Sequence, residues 1–345
     1  MILSVQYNNK LLLVIVLIAI FFGAGISANL NPQNTKQHLI VSTTTSLYET
    51  GILDMLKTEF EKQNPEINVS FISQGTGLAI QTAMRGDADM ILVHDPEREL
   101  DFLKNGYGVN RKIISYNFFV IVGPIEDPAG VKGLSPSDAL LKIREFGEQK
   151  LSTWVSRVDD SGTHSKEKIL WQEVGMDTKD LSEREWYLEA GSGMTSTLLL
   201  ANEKGAYTLC DLATYLTNYK NGNIELSVVV EAGKEMLNVY SAIVNNPMNT
   251  EVSKSNFNIS MLFIKFLVSE ETQNILMKYG DDAFGKPLFN SYINLLKSKN
   301  DPEIIGWIKE IAFFDGNECP PKYRYQDEDI YSIFNALSLK SESII

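Results

Sequence analysis

Hydrophobic and polar positions follow two rhythms along this chain. Short runs of β-branched and aliphatic residues predict strands over 39–42, 69–72, 88–93, 118–122, 154–156, 226–230 and 238–245. Between them, apolar residues recur at helical spacing. They predict helices over 52–63, 78–85, 97–105, 136–146, 166–174, 195–203, 211–219, 255–267 and 271–278. Ile52, Leu53, Leu56 and Phe60 illustrate the pattern, because they share one helical face. Strand and helix in turn predict an α/β fold of mostly parallel sheets with helices on both faces. No internal repeat or low-complexity segment interrupts the order. From Ser291 on the rhythm stops. Pro320-Pro321 and an acidic Asp327-Glu328-Asp329 run mark a stretch that looks appended.

The run over 11–26 differs in kind. It is uncharged and apolar, preceded by Lys10 and followed by Ile26-Ser27-Ala28. A charged start, an apolar stretch and small residues at a cleavage point form a secretory signal pattern. The run is also shorter than the roughly 20 residues of a membrane span. Residues 1–28 are therefore expected to be a signal peptide or membrane anchor, and 29–35 a polar linker. The remainder is expected on the periplasmic or extracellular face of the cytoplasmic membrane. A disulfide between Cys210 and Cys319 is permitted in that compartment, though the sequence alone does not establish one.

Composition narrows the function classes. The chain has 345 residues, 44% of them apolar, enough for a sizeable core and about two domains. Formal charge is 31 − 44 = −13, which argues against a nucleic-acid partner. It leaves a small anionic ligand open, because local dipoles set a buried site. Three histidines and no CxxC or HExxH leave no zinc pattern. There is no phosphate-binding GxxxxGK[ST] loop, Gly75-Thr76-Gly77 does not continue into GxGxxG, and Gly191-Ser192-Gly193 lacks the nucleophile elbow. No catalytic set is recognisable.

Four polar loops open helices: Thr43-Thr44-Thr45-Ser46, Gly75-Thr76-Gly77, the stretch from Arg157 to His164, and Gly191-Ser192-Gly193-Met194. Hydroxyls at a helix start cap the helix or donate to an anion, and glycine admits a ligand close to the backbone. One such loop is ordinary capping. Several at strand-to-helix turns, where parallel sheets bind ligands, point to an oxyanion. Arg157 adds a planar donor fork. Asp159 and Asp160 read as one partner for Arg157 and one helix cap, with general acid–base work as the alternative. His164 reads as structural. His94-Asp95 has no further metal ligands at useful spacing.

These blocks carry a resemblance. Val41-Ser42-Thr43-Thr44-Thr45-Ser46, Gly75-Thr76-Gly77, Gly86-Asp87-Ala88-Asp89, Val93-His94-Asp95-Pro96-Glu97 and Asp159-Asp160-Ser161-Gly162-Thr163-His164 resemble the tungstate-binding proteins of ABC uptake systems, over about 39–289. The resemblance implies a two-lobed periplasmic-binding-protein fold of type II, with the ligand cleft between lobes. It implies no enzyme activity, no cofactor and no bound metal ion beyond tungstate held as an oxyanion, with molybdate a second candidate. It implies an ABC permease as partner, and a monomer is expected. The implied ligand-binding residues are Thr44, Thr45, Ser46, Thr76, Arg157, Ser161, Gly162 and Thr163. One lobe is expected over 36–120 plus 240–290, the other over 121–239, with a C-terminal extension over 291–345. Val158 departs from the family, which has glycine there. Tungstate carries no proton at neutral pH, so its site should offer donors only, whereas phosphate favours an acceptor carboxylate such as Asp159 or Asp160. Receptors for molybdate, phosphate or sulfate, and an enzyme on phosphorylated substrates, are the alternatives.

Overall fold

The computed structural model of the protein describes residues 36–231, 233–252, 256–326 and 329–331. The expected signal or anchor segment, the 29–35 linker and residue 255 of a predicted helix lie outside the described residues.

Ten strands organise the described residues: β1 (Gln37–Thr44), β2 (Ile67–Gln74), β3 (Met90–Val93), β4 (Gly108–Gly123), β5 (Trp154–Ser156), β6 (Tyr187–Glu189), β7 (Thr208–Asp211), β8 (Ser227–Val230), β9 (Leu237–Asn245) and β10 (Asn290–Ser291). The main sheet runs β10-β4-β9-β3-β1-β2. Its β2-β1-β3 part is parallel, with Val41 opposite Phe71 on one side and Met90 on the other. In the second lobe β5 pairs in parallel with β6, and Trp154 pairs in parallel with Tyr207 just before β7. Each lobe buries its own apolar clusters. Ile52, Leu53, Leu56 and Phe60 of helix Ile52–Gln63 are buried in the first, as their spacing predicts. Trp154, Trp171, Trp186 and Tyr207 pack together in the second.

Strand β4 joins the two. It pairs antiparallel with β9 from Gly108 to Phe118, then with β7 from Phe119 to Val122 and with β8. Strands β4 and β9 thus run antiparallel to their neighbours, unlike β1, β2 and β3, which are parallel to one another. The cause is topological: a chain that crosses to a second lobe and returns comes back in the opposite sense. β4 is also far longer than the 118–122 strand expected from hydropathy. Before residue 118 it carries Asn110, Arg111, Lys112, Ser115 and Asn117, all buried.

Asn110, Arg111 and Lys112 find partners beyond residue 291, in Tyr325, Ala312 and Glu318. Helices Tyr292–Ser298 and Pro302–Ala312 cover the back of β4 and β9, where Tyr292, Ile293 and Ile308 pack on Ile113, Leu237 and Val239. Arg111 donates to the carbonyls of Ala312 and Glu318 at 2.9 and 2.7 Å, and to Glu99 at 2.7 Å. Lys112 Nζ lies 2.8 Å from the Glu318 carboxylate, which also accepts from the Ile113 N–H. Cys210 and Cys319 are both free thiols, buried in different clusters.

Removing one member of a buried ion pair leaves an uncompensated charge, at a cost of about 3–5 kcal/mol. Glu318→Ala is therefore expected to lower unfolding free energy in urea by that amount, and Lys112→Met in the same chain to restore part of it. A loss below about 1 kcal/mol would mean that Lys112 finds water instead.

Candidate functional site

Parallel strands β1, β2 and β3 end on one edge of the first sheet, and the residues that follow them are Thr45-Ser46, Gly75-Thr76 and His94. Strand β5 ends opposite, followed by Arg157. The carboxyl edge of a parallel sheet is where such folds take ligands. Thr44, Ser46, Thr76, Arg157, Ser161 and Thr163 are all at most 2% exposed. Gly162 is also buried and Thr45 half-buried.

The two sides touch directly. Arg157 Nη2 donates to Thr45 Oγ1 at 2.9 Å, and the Gly162 N–H donates to Thr76 Oγ1 at 2.8 Å. Arg98 crosses the cleft to Asp160, pairing with its carboxylate and donating to its carbonyl at 2.9 Å. Glu49 accepts from Thr195 Oγ1 at 2.9 Å, in the helix that the Gly191–Gly193 loop opens. These contacts hold the lobes closed. A β-carbon on Gly162 would come within 2.9 Å of His94 Cε1 and 3.2 Å of Thr76 Oγ1, so glycine is what lets the helix start approach this closely.

The hydroxyls share one polarity. Thr44 caps helix Thr45–Glu49 and accepts from the Leu47 N–H, and Ser161 caps helix Gly162–Glu173 and accepts from the His164 N–H. Thr45 and Thr163 accept from Arg157, and Thr76 from Gly162. Each of these hydroxyls thus has a lone pair engaged by an N–H, and Thr44 also lies 3.4 Å from Ser46 Oγ, where either hydroxyl can donate. Helices Thr45–Glu49, Thr76–Met84 and Gly162–Glu173 carry no Asp or Glu in their first turns, so no acid within them opposes their positive ends. Asp159 grips Arg157 at 2.9 Å from Nε and 2.7 Å from Nη2, as a partner for Arg157 should. The helix cap is Ser161, however, not an aspartate, and Asp160 turns away to Arg98. Val158 has φ +44°, a conformation strained for a β-branched residue, and Asp160 has φ +57°. The loop that carries Arg157 is held in that shape by its neighbours.

Several residues escaped the sequence reading. Glu167 is buried beneath Arg157 and accepts from Trp154 Nε1, Tyr187 Oη and Ser156 Oγ at 2.8, 2.7 and 2.9 Å. Burial pushes its carboxyl up to about 7. Asp211 caps helix Leu212–Lys220, and its carboxyl is raised, first by burial. His94 is 4% exposed, with Nδ1 2.9 Å from Asn238 Oδ1 and Nε2 3.5 Å from Ser46 Oγ. Burial, then Arg157, lowers its pKa to about 4. Its place after a parallel strand was the available signal. Arg98 carried none, since its partner lies 62 residues away.

A two-lobed α/β receptor with its polar cleft at the strand ends is the class that this geometry defines. A PBP superfamily domain matches residues 30–271. A Haloferax volcanii relative, assigned by name to ABC-transporter anion binding, is 42% identical over 261 residues, covering 74% of this chain and 72% of that one. The tungstate-binding protein TupA of Peptoclostridium acidaminophilum is 36% identical over 271 residues, covering 77% of this chain and 91% of its own. The solved tungstate-binding protein TupA of Desulfovibrio alaskensis G20 superposes with TM-score 0.62 at 37% identity, over 74% of this chain and 98% of that one. The chain belongs to the PBP superfamily and, within it, to the family of these TupA proteins.

The raised carboxyl of Glu167 has a definite sign. A folded pKa above the ordinary 4.5 stabilises the protein below that pH, and the contribution is lost as pH rises through about 7. Urea unfolding over this range should show wild-type stability falling relative to Glu167→Gln, which cannot titrate. Parallel profiles for the two proteins would contradict a titrating Glu167.

Proposed function

We propose that this protein is an extracytoplasmic receptor that binds tungstate between its lobes and delivers it to an ABC permease. The observation that carries the reading is the shared polarity of the hydroxyls. Thr44, Thr45, Thr76, Ser161 and Thr163 each accept from an N–H, which leaves the protons of Thr45, Thr76, Ser161 and Thr163, and one proton of the Thr44–Ser46 pair, to donate to a ligand. With Ser46 and Arg157 they would form a set of donors from both lobes, while Gly162, whose N–H goes to Thr76, lets the helix start come close. An oxyanion that carries two charges and no proton is matched by such a set. Charge-assisted hydrogen bonds contribute roughly 1.5–3 kcal/mol each, so about six suffice for nanomolar affinity after the costs of association.

Phosphate, which needs an acceptor at neutral pH, finds neither carboxylate of the Arg157 loop free. Asp159 is taken by Arg157 and the Ser161 N–H, and Asp160 by Arg98. Molybdate has the same shape and charge as tungstate and remains the second ligand. We read the cleft as that of a receptor and not of an enzyme. The lobes we assign are 36–120 plus 240–290 and 121–239. Separate apolar clusters in each and the change of partners along β4 at Phe118–Phe119 support that division. In this reading the ligand favours the closed state by bridging donors that the open state separates. The chain acts as a monomer outside the cytoplasmic membrane. No helix among the described residues is long and apolar enough to cross a membrane.

Calorimetric titration with tungstate, molybdate, phosphate and sulfate in turn tests this. Nanomolar tungstate binding with phosphate silent is expected. Arg157→Ala should weaken tungstate binding by at least about 2–3 kcal/mol, roughly 30- to 150-fold. Normal tungstate binding by that variant would remove Arg157 from the site, and phosphate binding with tungstate silent would overturn the ligand.

A further inference from the structure

His94 stands apart from the donors around it. Its ring lies against Gly162, on the side of that residue where Thr76 Oγ1 also lies. The direction of its hydrogen bonds is fixed from a distance. The Leu288 carbonyl can only accept, so Asn117 turns its Nδ2 to it and its Oδ1 to Asn238. Asn238 then donates through Nδ2 to Asn117 Oδ1 and to Tyr240 Oη, both at 2.9 Å. Its own Oδ1 is left facing His94 Nδ1, which must carry the proton. A neutral imidazole with hydrogen on Nδ1 has a bare lone pair on Nε2. That lone pair faces Ser46 Oγ, 3.5 Å away. Among these groups, Nε2 is the one acceptor in a set of donors.

We propose that His94 is a further residue of the oxyanion site, and that its Nε2 takes up a proton from solvent when the anion binds. This rests on the tungstate reading above. The step is a proton transfer alone. Tungstate brings no proton, so water or buffer supplies it, and Nε2–H forms. Two charges change places around the ring. In the free protein Arg157 opposes a positive imidazole. The incoming dianion offsets Arg157 and attracts the imidazolium. At the same time it draws the Ser46 proton away from Nε2, which a second proton then satisfies. A cavity of about 160 Å³ is bordered by His94, Phe119, Lys166 and Asn238.

Other ionisable groups face the same space. Asp95, Glu97 and Lys166 border the cavity, and Asp211 and Glu167 lie near Arg157. On the elements that pack against the ring, Phe119, Asn238 and Ile311 are uncharged, and Tyr240 stays protonated. Assigning the proton therefore needs a signal from the ring itself. The chain has only three histidines, His38, His94 and His164.

The test measures tungstate binding calorimetrically at pH 6 and pH 8 in buffers of different ionisation enthalpy. Binding should take up a measurable fraction of a proton at pH 6 and little at pH 8, with Kd at least about threefold lower at pH 6. Histidine ring NMR of the wild-type protein should show one of three signals titrating at higher pH in the bound form. That signal should be missing in His94→Gln. Tungstate binding with no proton uptake, or with unchanged histidine titrations, overturns the proposal and leaves the receptor reading intact. Absence of tungstate binding at both pH values overturns the receptor reading, and this proposal with it.

Discussion

The buried guanidinium of Arg157 is the constraint on which the rest of the cleft depends. A cation 2% exposed would carry a penalty of several kcal/mol without good partners. Asp159 neutralises it from the same loop, Thr163 meets it from the following helix, and Thr45 meets it from the other lobe. The loop shape that aims it includes two residues at positive φ, Val158 and Asp160. Below it, Glu167 ties Trp154, Ser156 and Tyr187 together, so β5 and β6 form a fixed platform. The charge that a ligand would meet is thus set in a rigid frame, while its contact to Thr45 can form only when the lobes are closed.

A second buried charge does for the hinge what Arg157 does for the cleft. Arg111 lies on the strand that both lobes share and is fully buried, joined to Glu99 and to two carbonyls from the C-terminal segment. Glu99 also accepts from the Asp95 N–H at the start of helix Pro96–Lys104, the helix that carries Arg98 to Asp160. A continuous chain of polar contacts therefore runs from the C-terminal segment to the lobe interface. Residues 292–318 complete the core behind the crossing strands and supply the partners that make a polar strand buriable.

That arrangement explains what the sequence could and could not reveal. Helix Ile52–Gln63 was legible because its four buried residues follow one face. The hydroxyl-rich loops were legible because each follows a strand and starts a helix. The earlier part of β4 was not: Asn110, Arg111, Lys112 and Asn117 break the apolar pattern, and the contacts of Lys112 and Ile113 to Glu318 span more than 200 residues. Strands β6 and β7 have three and four residues, too few for a period to emerge. The contacts between Arg157 and Thr45 and between Gly162 and Thr76 depend on how two lobes meet, which local pattern does not encode. His94 was visible as a residue after a strand, but its tautomer follows from a relay that begins at a carbonyl nearly two hundred residues on.

The most direct test of a closed cleft that grips an oxyanion is a crystal structure with tungstate, located by anomalous scattering from tungsten. The account predicts one strong peak, bounded by Thr44 to Ser46 and Thr76 on one side and by Arg157 and Ser161 to Thr163 on the other. No carboxylate oxygen of Asp159 or Asp160 should lie within hydrogen-bond distance of it. A peak elsewhere, or one bonded by residues of a single lobe, would contradict the account.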